Sequence, residues 1–483
     1  MSAINFYEKQ IHDAVHGPIY ISRVERDVID TKVFQRLRNI KQLGLGSLVF
    51  PSANYTRFSH SIGACEIAGR IVDAINRNAQ EEVISPYDKQ IYRLSALLHD
   101  IGHYPFSHLF EHTLGDLTKE TSGQSIAVDA DDTSDQDEPK IVFEYFDHED
   151  VGKEIIQNDA ELQKALTDHD IRHADIVDLF SPDKGKYLKA IVSSDLDCDR
   201  LDYLMRSAHN SGLPYGNVDI PYIVNNFTLD NNDRLCLNKR ASSAADHLLV
   251  SRMFDYLQLS YNKTSIGFEV ALKKLIKWLI VSKKLACSKS DISSGILDGK
   301  WHNFNDRSVL AELSSLKEAN EIPADYEHFY RCVSERRPPV LLCELKSFGE
   351  INNRKNKEQL ARQNTLLNRA CDAIELNHGF VKGQVTTWKA PIKITKKGWF
   401  VSLDEDVDEN EIQELVHILD GDPKKTGQSV PLITIQSTVS SHLSKRALQL
   451  SRAYFFPKNQ QESDLAKTLK REIRSTDYLL DIA

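Results

Sequence analysis

The stretch that most constrains this chain is Leu97-Leu98-His99-Asp100-Ile101-Gly102-His103-Tyr104-Pro105-Phe106-Ser107-His108. Upstream of it, Ile91, Leu94, Leu97, Leu98 and Ile101 recur at helical spacing and define one buried face. Gly102 and Pro105 then stop the helix. The His99-Asp100 pair therefore sits on the last turn of a buried helix, where packing can hold ligands rigidly. His103 and His108 lie on the turn beyond. His99, His103, His108, His112 and His148 fall within about fifty residues, a concentration that calls for a chemical reason.

Composition narrows the class. The chain has 483 residues, enough for a large core and two or three domains. Its hydrophobic content of 41% and charged content of 27% are those of a globular protein. A net charge of −10 argues against broad nucleic-acid binding, although a local basic groove is compatible with it. The seven cysteines are scattered without a C-x-x-C pair, which excludes a Cys-type zinc site and fits a reducing, cytoplasmic setting. Met1 to Gln10 is too polar for a signal peptide. The apolar run from Ala271 to Val281 carries Lys273, Lys274 and Lys277, so no membrane span is expected.

Along the chain, His16-Gly17-Pro18 reads as a turn before a short strand, Ile19 to Ser22. Val33 to Leu43 reads as a basic amphipathic helix. Ser59 is the expected N-cap of a helix from His60 to Arg77, with Arg57 just before it. Residues 116–140 lose periodicity, and Asp129 to Glu138 holds six acids, so we expect a mobile surface insert. Helices are expected from His148 through Ile156, along the run Asp195 to Tyr203 and on to about His209, from Ala244 to Tyr261 and from Ile266 to Leu285. Beyond residue 335 the texture changes. Val340 to Leu345, Trp399 to Leu403 and Leu432 to Ile435 read as strands. Asn356 to Leu376, Glu411 to Leu419 and Leu465 to Ile473 read as helices. Lys393, Lys396 and Lys397, near Trp388 and Trp399, read as a solvated strand face.

A hydrolytic metal site needs neutral imidazoles and anionic oxygens with coordination positions left open. His60, His99, Asp100 and Asp199 can supply such a set. Mixed His and carboxylate ligands suit Mn, Fe, Zn or Co better than Ca. The bland alternative for a lone buried His is a satisfied core residue. For His99-Asp100 followed by His103 and His108 it is weaker, because several desolvated imidazoles at one helix end are costly without a partner. Asp195, Asp197, Asp199 and Asp202 can equally cap a helix or form a solvated face.

These residues belong to a longer series. Asp30-Thr31, Phe34-Gln35-Arg36-Leu37-Arg38, Lys41-Gln42-Leu43-Gly44, Val49-Phe50-Pro51, Arg57-Phe58-Ser59-His60-Ser61-Ile62-Gly63, His99-Asp100-Ile101-Gly102-His103, Pro105-Phe106-Ser107-His108, His148-Glu149 and Asp199-Arg200-Leu201-Asp202-Tyr203 follow in order. Over residues 9 to 265 the chain resembles the HD-domain deoxynucleoside triphosphate triphosphohydrolases, close to the sterile-alpha-motif-and-HD-domain group. The resemblance implies a mainly α fold, an HD-domain helical bundle with a smaller α+β C-terminal region. It implies metal ligands at His60, His99, Asp100 and Asp199, and a catalytic group at His103, His108, His148 and Glu149. It implies substrate contacts at Gln42, Leu43, Arg57, Arg200 and Tyr203. A regulatory dNTP or NTP would lie at Asp30 and Arg38, at an interface of a homo-oligomer, with a tetramer among the options. One divalent metal per site is implied, with Mn, Fe, Mg, Zn and Co all open.

There are departures from the family pattern. No room is expected for a sterile-alpha-motif domain ahead of the HD region. Ser207 stands where relatives carry an Asp that helps bind the sugar, and Tyr261-Asn262-Lys263 replaces a Tyr-x-His-Lys or Tyr-His-Lys texture. The expected organisation is 1–285 as the HD phosphohydrolase domain, 286–335 as a helical connector and 336–483 as an α+β domain of unassigned role. The expected activity is metal-dependent hydrolysis of dNTPs to deoxynucleoside and triphosphate. The alternatives are an HD nucleotidase or phosphodiesterase acting on another phosphate ester, and a nucleotide sensor or nucleic-acid-binding module.

Overall fold

The computed structural model describes residues 9–79, 81–121, 143–180, 188–395, 414–419 and 427–475. The acidic run 129–138, the expected strand 399–403, and Lys396 and Lys397 lie outside them.

The chain opens with a hairpin of β1 (Lys9–Asp13) and β2 (Gly17–Ile21), paired antiparallel with Asp13 opposite Gly17. Gly17 takes φ +70°, the left-handed conformation that closes a three-residue hairpin loop at no Cβ cost. Helix α1 (Arg23–Ile29) follows, with a capping box between Ser22 and Glu25. The continuous helix expected over Val33 to Leu43 does not form. A single α-turn, Lys32–Gln35, gives way to a 3-10 turn, Arg36–Asn39. At Ile40 the chain extends, and Lys41 bridges Thr56. The buried Arg36 guanidinium, bonded to the carbonyls of Phe304, Ile101 and His103, pulls this segment against the core and tightens its coil.

Five helices then frame the site. Helix α2 (Arg57–Ala79) begins three residues before the expected His60. Ser59 is inside the first turn and donates to the Thr56 carbonyl instead of capping. Helix α3 (Pro86–Leu98) starts from the Ser85 cap with Pro86 in its first turn and buries Ile91, Leu94, Leu97 and Leu98 as expected. Helix α4 (His108–Thr121) comes next, and α5 (His148–Asn158) is capped by Asp147. Helix α6 (Cys198–Ser211) is capped by Asp197 and closed by left-handed Gly212. Strands β3 (Phe227–Leu229) and β4 (Leu235–Asn238) form a short antiparallel pair. Helix α7 (Ser242–Asp255) runs into a π-turn, Tyr256–Ser260, before α8 (Lys263–Val281).

The C-terminal region is α+β. Strand β5 (Val340–Glu350) is followed by α9 (Arg354–His378) and β6 (Val385–Lys393). The segment expected as a helix up to Leu419 ends instead in a strand, β7 (His417–Leu419), next to β8 (Ser429–Pro431). Leu432–Thr434, expected as a strand, is a 3-10 turn. Strand β9 (Arg446–Phe455) lies between β5 and β6 in an antiparallel sheet, and α10 (Ala466–Ser475) closes the described chain.

One hydrophobic core takes in residues from Ile19 to Val333 and also Ile394, Val416, Ile418, Leu432, Tyr454 and Phe456. A second, smaller core lies between the β5–β9–β6 sheet and helices α9 and α10, around Leu342, Leu367, Cys371, Phe455, Leu469 and Ile473. Strand β7 pairs parallel with β4, so one sheet joins the late segment to the main body. The architecture is a mainly α bundle with a smaller α+β C-terminal region. Among the described residues, no helix is long and apolar enough to cross a membrane.

Candidate metal centre

His99 is the C-cap of α3, and its Nδ1 donates to the Ala96 carbonyl at 2.7 Å. This turns Nε2 away from its own helix. Asp100 follows directly. His60 enters from the first turn of α2, and Asp199 from the first turn of α6. The four side chains converge. His60 Nε2 is 3.2 Å from His99 Nε2, 3.0 Å from Asp199 Oδ1 and 3.6 Å from Asp100 Oδ2. His99 Nε2 is 3.3 Å from Asp100 Oδ1 and 3.8 Å from Asp199 Oδ1.

The donor set fits a divalent cation. Both Nδ1 atoms are already committed as donors, His60 to Asp202 at 2.7 Å and His99 to Ala96. Two Nε2 lone pairs therefore face each other between two carboxylates, an arrangement that requires a shared proton or a metal. Electrostatics agree. Burial works against charge on His60, yet Asp199, Asp202 and Asp100 hold the imidazolium up to about 10. Burial likewise opposes the Asp199 and Asp100 anions, but the facing imidazoles, and Arg57 beside Asp100, keep both well below the usual carboxylate range. The Arg57 guanidinium, itself buried, bonds Asp100 Oδ2 at 2.5 Å and Ser107 Oγ at 2.7 Å.

A second group adjoins the first. His103, His108 and His148 each offer a ring nitrogen within 4.8 Å of the others. The His103 ring stacks on His148 at 4.2 Å between centroids. Gly102 makes this possible: a Cβ there would lie 2.1 Å from the His148 carbonyl oxygen and 2.3 Å from the Gly152 amide. Phe106 and Ser107 both take φ 56°, two consecutive left-handed residues that swing the chain from Asp100 back to His108. Asp306 holds this turn, accepting from the Phe106 amide at 2.7 Å and the Lys41 amide at 3.0 Å. His103 donates from Nε2 to Asp100 Oδ1 at 3.1 Å. Burial, with Arg57 and His148 alongside, holds its pKa well below the ordinary value and keeps it neutral. Its Nδ1 is buried with no partner among the described residues.

The carboxylate against this group is Glu111, which accepts from His148 Nδ1 at 2.9 Å and lies 3.5 Å from His108 Nδ1. Glu149, expected to act with His148, is exposed on the first turn of α5. Glu111 was legible in principle as the i+3 neighbour of His108 on one helix face. Burial pulls the His148 pKa down, but Glu111 and Asp100 raise it overall.

The expected substrate residues divide. Gln42 and Leu43 lie half-buried after the 3-10 turn, and Gln42 Oε1 is buried without a partner among the described residues. Arg57 is at the His60, His99, Asp100 and Asp199 cluster, bonded to Asp100. Arg200 is not offered to a ligand: its guanidinium is held by the Ser194 carbonyl and by Asp195 at 3.0 Å, and Arg252 approaches the same carboxylate at 3.4 Å. Tyr203 is half-buried, and burial keeps its phenol protonated against the pull of Arg252. Ser207 is occupied by the Tyr55 hydroxyl at 2.6 Å. Asp30 and Arg38 are exposed, and the Arg38 guanidinium lies 3.5 Å over the Phe58 ring.

Residues 57–206, the stretch that carries both groups, match the HD domain family model. The chain is 34% identical over 287 residues to an uncharacterized protein of Methanocaldococcus jannaschii, covering 57% of this chain and 51% of that one. It is 31% identical over 272 residues to an uncharacterized protein of Bacillus subtilis, 56% and 55% of the two chains. It is 27% identical over 365 residues to the human deoxynucleoside triphosphate triphosphohydrolase SAMHD1, 68% and 55% of the two chains. The chain thus spans about half the length of the curated relatives it matches. Its fold is shared with a hypothetical protein from Aquifex aeolicus, with TM-score 0.67, 21% identity and coverage of 96% of this chain and 99% of that one. A phosphohydrolase from Bacteroides thetaiotaomicron superposes with TM-score 0.65 at 20% identity, over 92% and 99% of the two chains.

Proposed function

We propose that the protein is a metal-dependent dNTP triphosphohydrolase that releases deoxynucleoside and triphosphate. The observation that carries this reading is the convergence of His60, His99, Asp100 and Asp199 beside a group of imidazoles, one of which, His148, is held by Glu111. The partial sequence likeness to deoxynucleoside triphosphate triphosphohydrolases supports the substrate class.

His60, His99, Asp100 and Asp199 would hold one divalent cation, from among Mn, Fe, Mg, Zn and Co. When bound, the cation supplies positive charge to a phosphoryl group and acidifies water. The rest falls to the chain itself. Arg57 stabilises charge on the phosphates while fixing Asp100. His148, kept protonated by Glu111, donates its proton to the leaving 5′ oxygen, with His108 next to it. Neutral His103 buttresses Asp100 and stacks under His148. Gln42, Leu43 and Tyr203 would meet the sugar. Asp30 and Arg38, both exposed, would receive a regulatory dNTP or NTP at an interface of a homo-oligomer.

A second reading keeps the site and changes the substrate, making the protein an HD nucleotidase or phosphodiesterase. Two observations favour it: Arg200, an expected phosphate contact, is tied to Asp195, and Ser207, which stands where relatives carry a sugar-binding Asp, is engaged by Tyr55. Product analysis separates the readings. The protein is incubated with each dNTP and NTP and with mixtures, plus Mn or Mg, beside Asp100→Ala. Deoxynucleoside with intact triphosphate, absent in the variant, is expected. Turnover only in mixtures would point to the Asp30 and Arg38 region. Phosphate, pyrophosphate or a nucleoside monophosphate as product would favour the second reading. No turnover in any mixture with metal bound would overturn the first.

A further inference from the structure

The N-terminal hairpin reaches the metal cluster through a closed chain of buried charges. Asp202, fully buried on α6, accepts from His60 Nδ1 at 2.7 Å and from His16 Nε2 at 2.6 Å. It also accepts from Arg206 Nε at 2.8 Å and Nη2 at 2.9 Å. Four donors saturate its two oxygens, so the carboxylate cannot turn. Arg206 is in turn forked onto Asp13, from Nη1 to Oδ2 at 2.8 Å and from Nη2 to Oδ1 at 3.1 Å. Asp13 Oδ1 ties the hairpin loop itself, accepting from the Val15 and His16 amides at 2.9 and 3.0 Å. Gly63 on α2 leaves the space: a Cβ there would meet Asp202 Oδ1 at 1.9 Å and Arg206 Nη2 at 2.4 Å.

We infer that the β1–β2 loop is a working part of the metal centre, with His16 and Asp13 as positioning residues that lock Asp202 and, through it, His60. Asp202 Oδ2 engages His60 Nδ1, which leaves Nε2 as the ring atom turned to the cluster. Removing His16 strips one donor from Oδ1 and frees the carboxylate to rotate. Removing the Asp13 charge releases Arg206 and unties the loop. Partners of this kind change metal affinity about 10- to 100-fold when removed.

This inference rests on the metal centre proposed above, and the test separates the two. The full chain is stripped of metal and titrated with Mn(II), with free Mn(II) read by its EPR signal and the thermal midpoint of each metal-free variant recorded alongside. His16→Ala and Asp13→Asn are expected to raise the Mn(II) Kd about 10- to 100-fold. His16→Gln, whose amide can still donate to Asp202, is expected to stay within about 3-fold of the parent, like His12→Ala on the exposed side of the hairpin. A parent-like Kd for His16→Ala overturns the hairpin's role and leaves the centre standing. Equal losses in His16→Ala and His16→Gln, tracking the metal-free midpoint, also overturn it, because they mark a purely structural role. Failure of the parent chain to take up Mn(II) overturns both.

Discussion

At the scale of single residues, the state of each buried charge in the site is set by the groups packed directly against it. Glu111 is the clearest case. Burial opposes its charge, but His108 and His148 hold its carboxyl far below the usual range, so it stays anionic at any working pH. His148 is raised in return, so its proton is held below that raised pKa and lost above it. A reaction that uses the His148 proton should therefore fail on the alkaline side. Glu111→Gln should move that alkaline limb to lower pH and cut kcat by about 10- to 100-fold, as read from a pH–rate profile. Arg57 supports a second prediction. Its pair with Asp100 is almost wholly buried, at 4% and 5% side-chain exposure. Arg57→Ala leaves an uncompensated carboxylate and should cost the metal-free protein about 3 kcal/mol in urea unfolding, with added Mn(II) recovering part of the loss. The proposed ligands His99 and Asp100 were legible because a His-Asp pair at the end of an apolar helix has few innocuous explanations. Glu111, although i+3 to His108, was passed over because Glu149 stands directly beside His148, and only packing shows which carboxylate faces the ring.

At the scale of elements, glycines set how closely the helices approach. Gly102 lets the start of α5 come against the His99-Asp100 turn. Ala at this position meets backbone at 2.1 and 2.3 Å, and backbone cannot move aside as a flexible side chain can. Gly102→Ala should therefore separate His148 from His103 and lower the thermal midpoint by several degrees, a cost of about 2 kcal/mol or more. Differential scanning calorimetry of the metal-free protein checks this. Helical periodicity located α3, α8 and α9 well, because each buries a continuous stripe. It misplaced Val33 to Leu43, where the buried apolar residues Val33, Phe34, Leu37 and Ile40 suit a helix but Arg36 is drawn to three distant carbonyls. It also misplaced the segment ending at Leu419, whose backbone is taken up by β4 on one side and β8 on the other.

At the scale of the whole molecule, the late part of the chain is bound into the body. Ile394, Val416, Ile418, Leu432 and Tyr454 belong to the main core, and β7 completes the sheet begun by β3 and β4. Arg452 adds a hydrogen bond to the Tyr261 carbonyl at 2.7 Å. A chain ending at residue 335 would expose that apolar surface and the edge of β4. It should aggregate or lose cooperative unfolding, as judged by size-exclusion chromatography and calorimetry. A cooperatively folded fragment with parent-like metal uptake would show the region beyond 335 to be dispensable for the site.

By itself, the sequence determined the local matters: the helices that bury a continuous apolar stripe, where α3 stops, and which imidazoles and carboxylates stand at that stop. These follow from side-chain spacing and helix-ending residues within a few turns of chain, where geometry is nearly set by the backbone. The tertiary structure alone decided the pairings: Glu111 over Glu149 for His148, Asp195 for Arg200, Tyr55 for Ser207, and the hairpin's His16 for Asp202. Each joins residues from different elements, and each outcome depends on which buried charge would otherwise go without a partner. That balance is struck only when the helices close on one another.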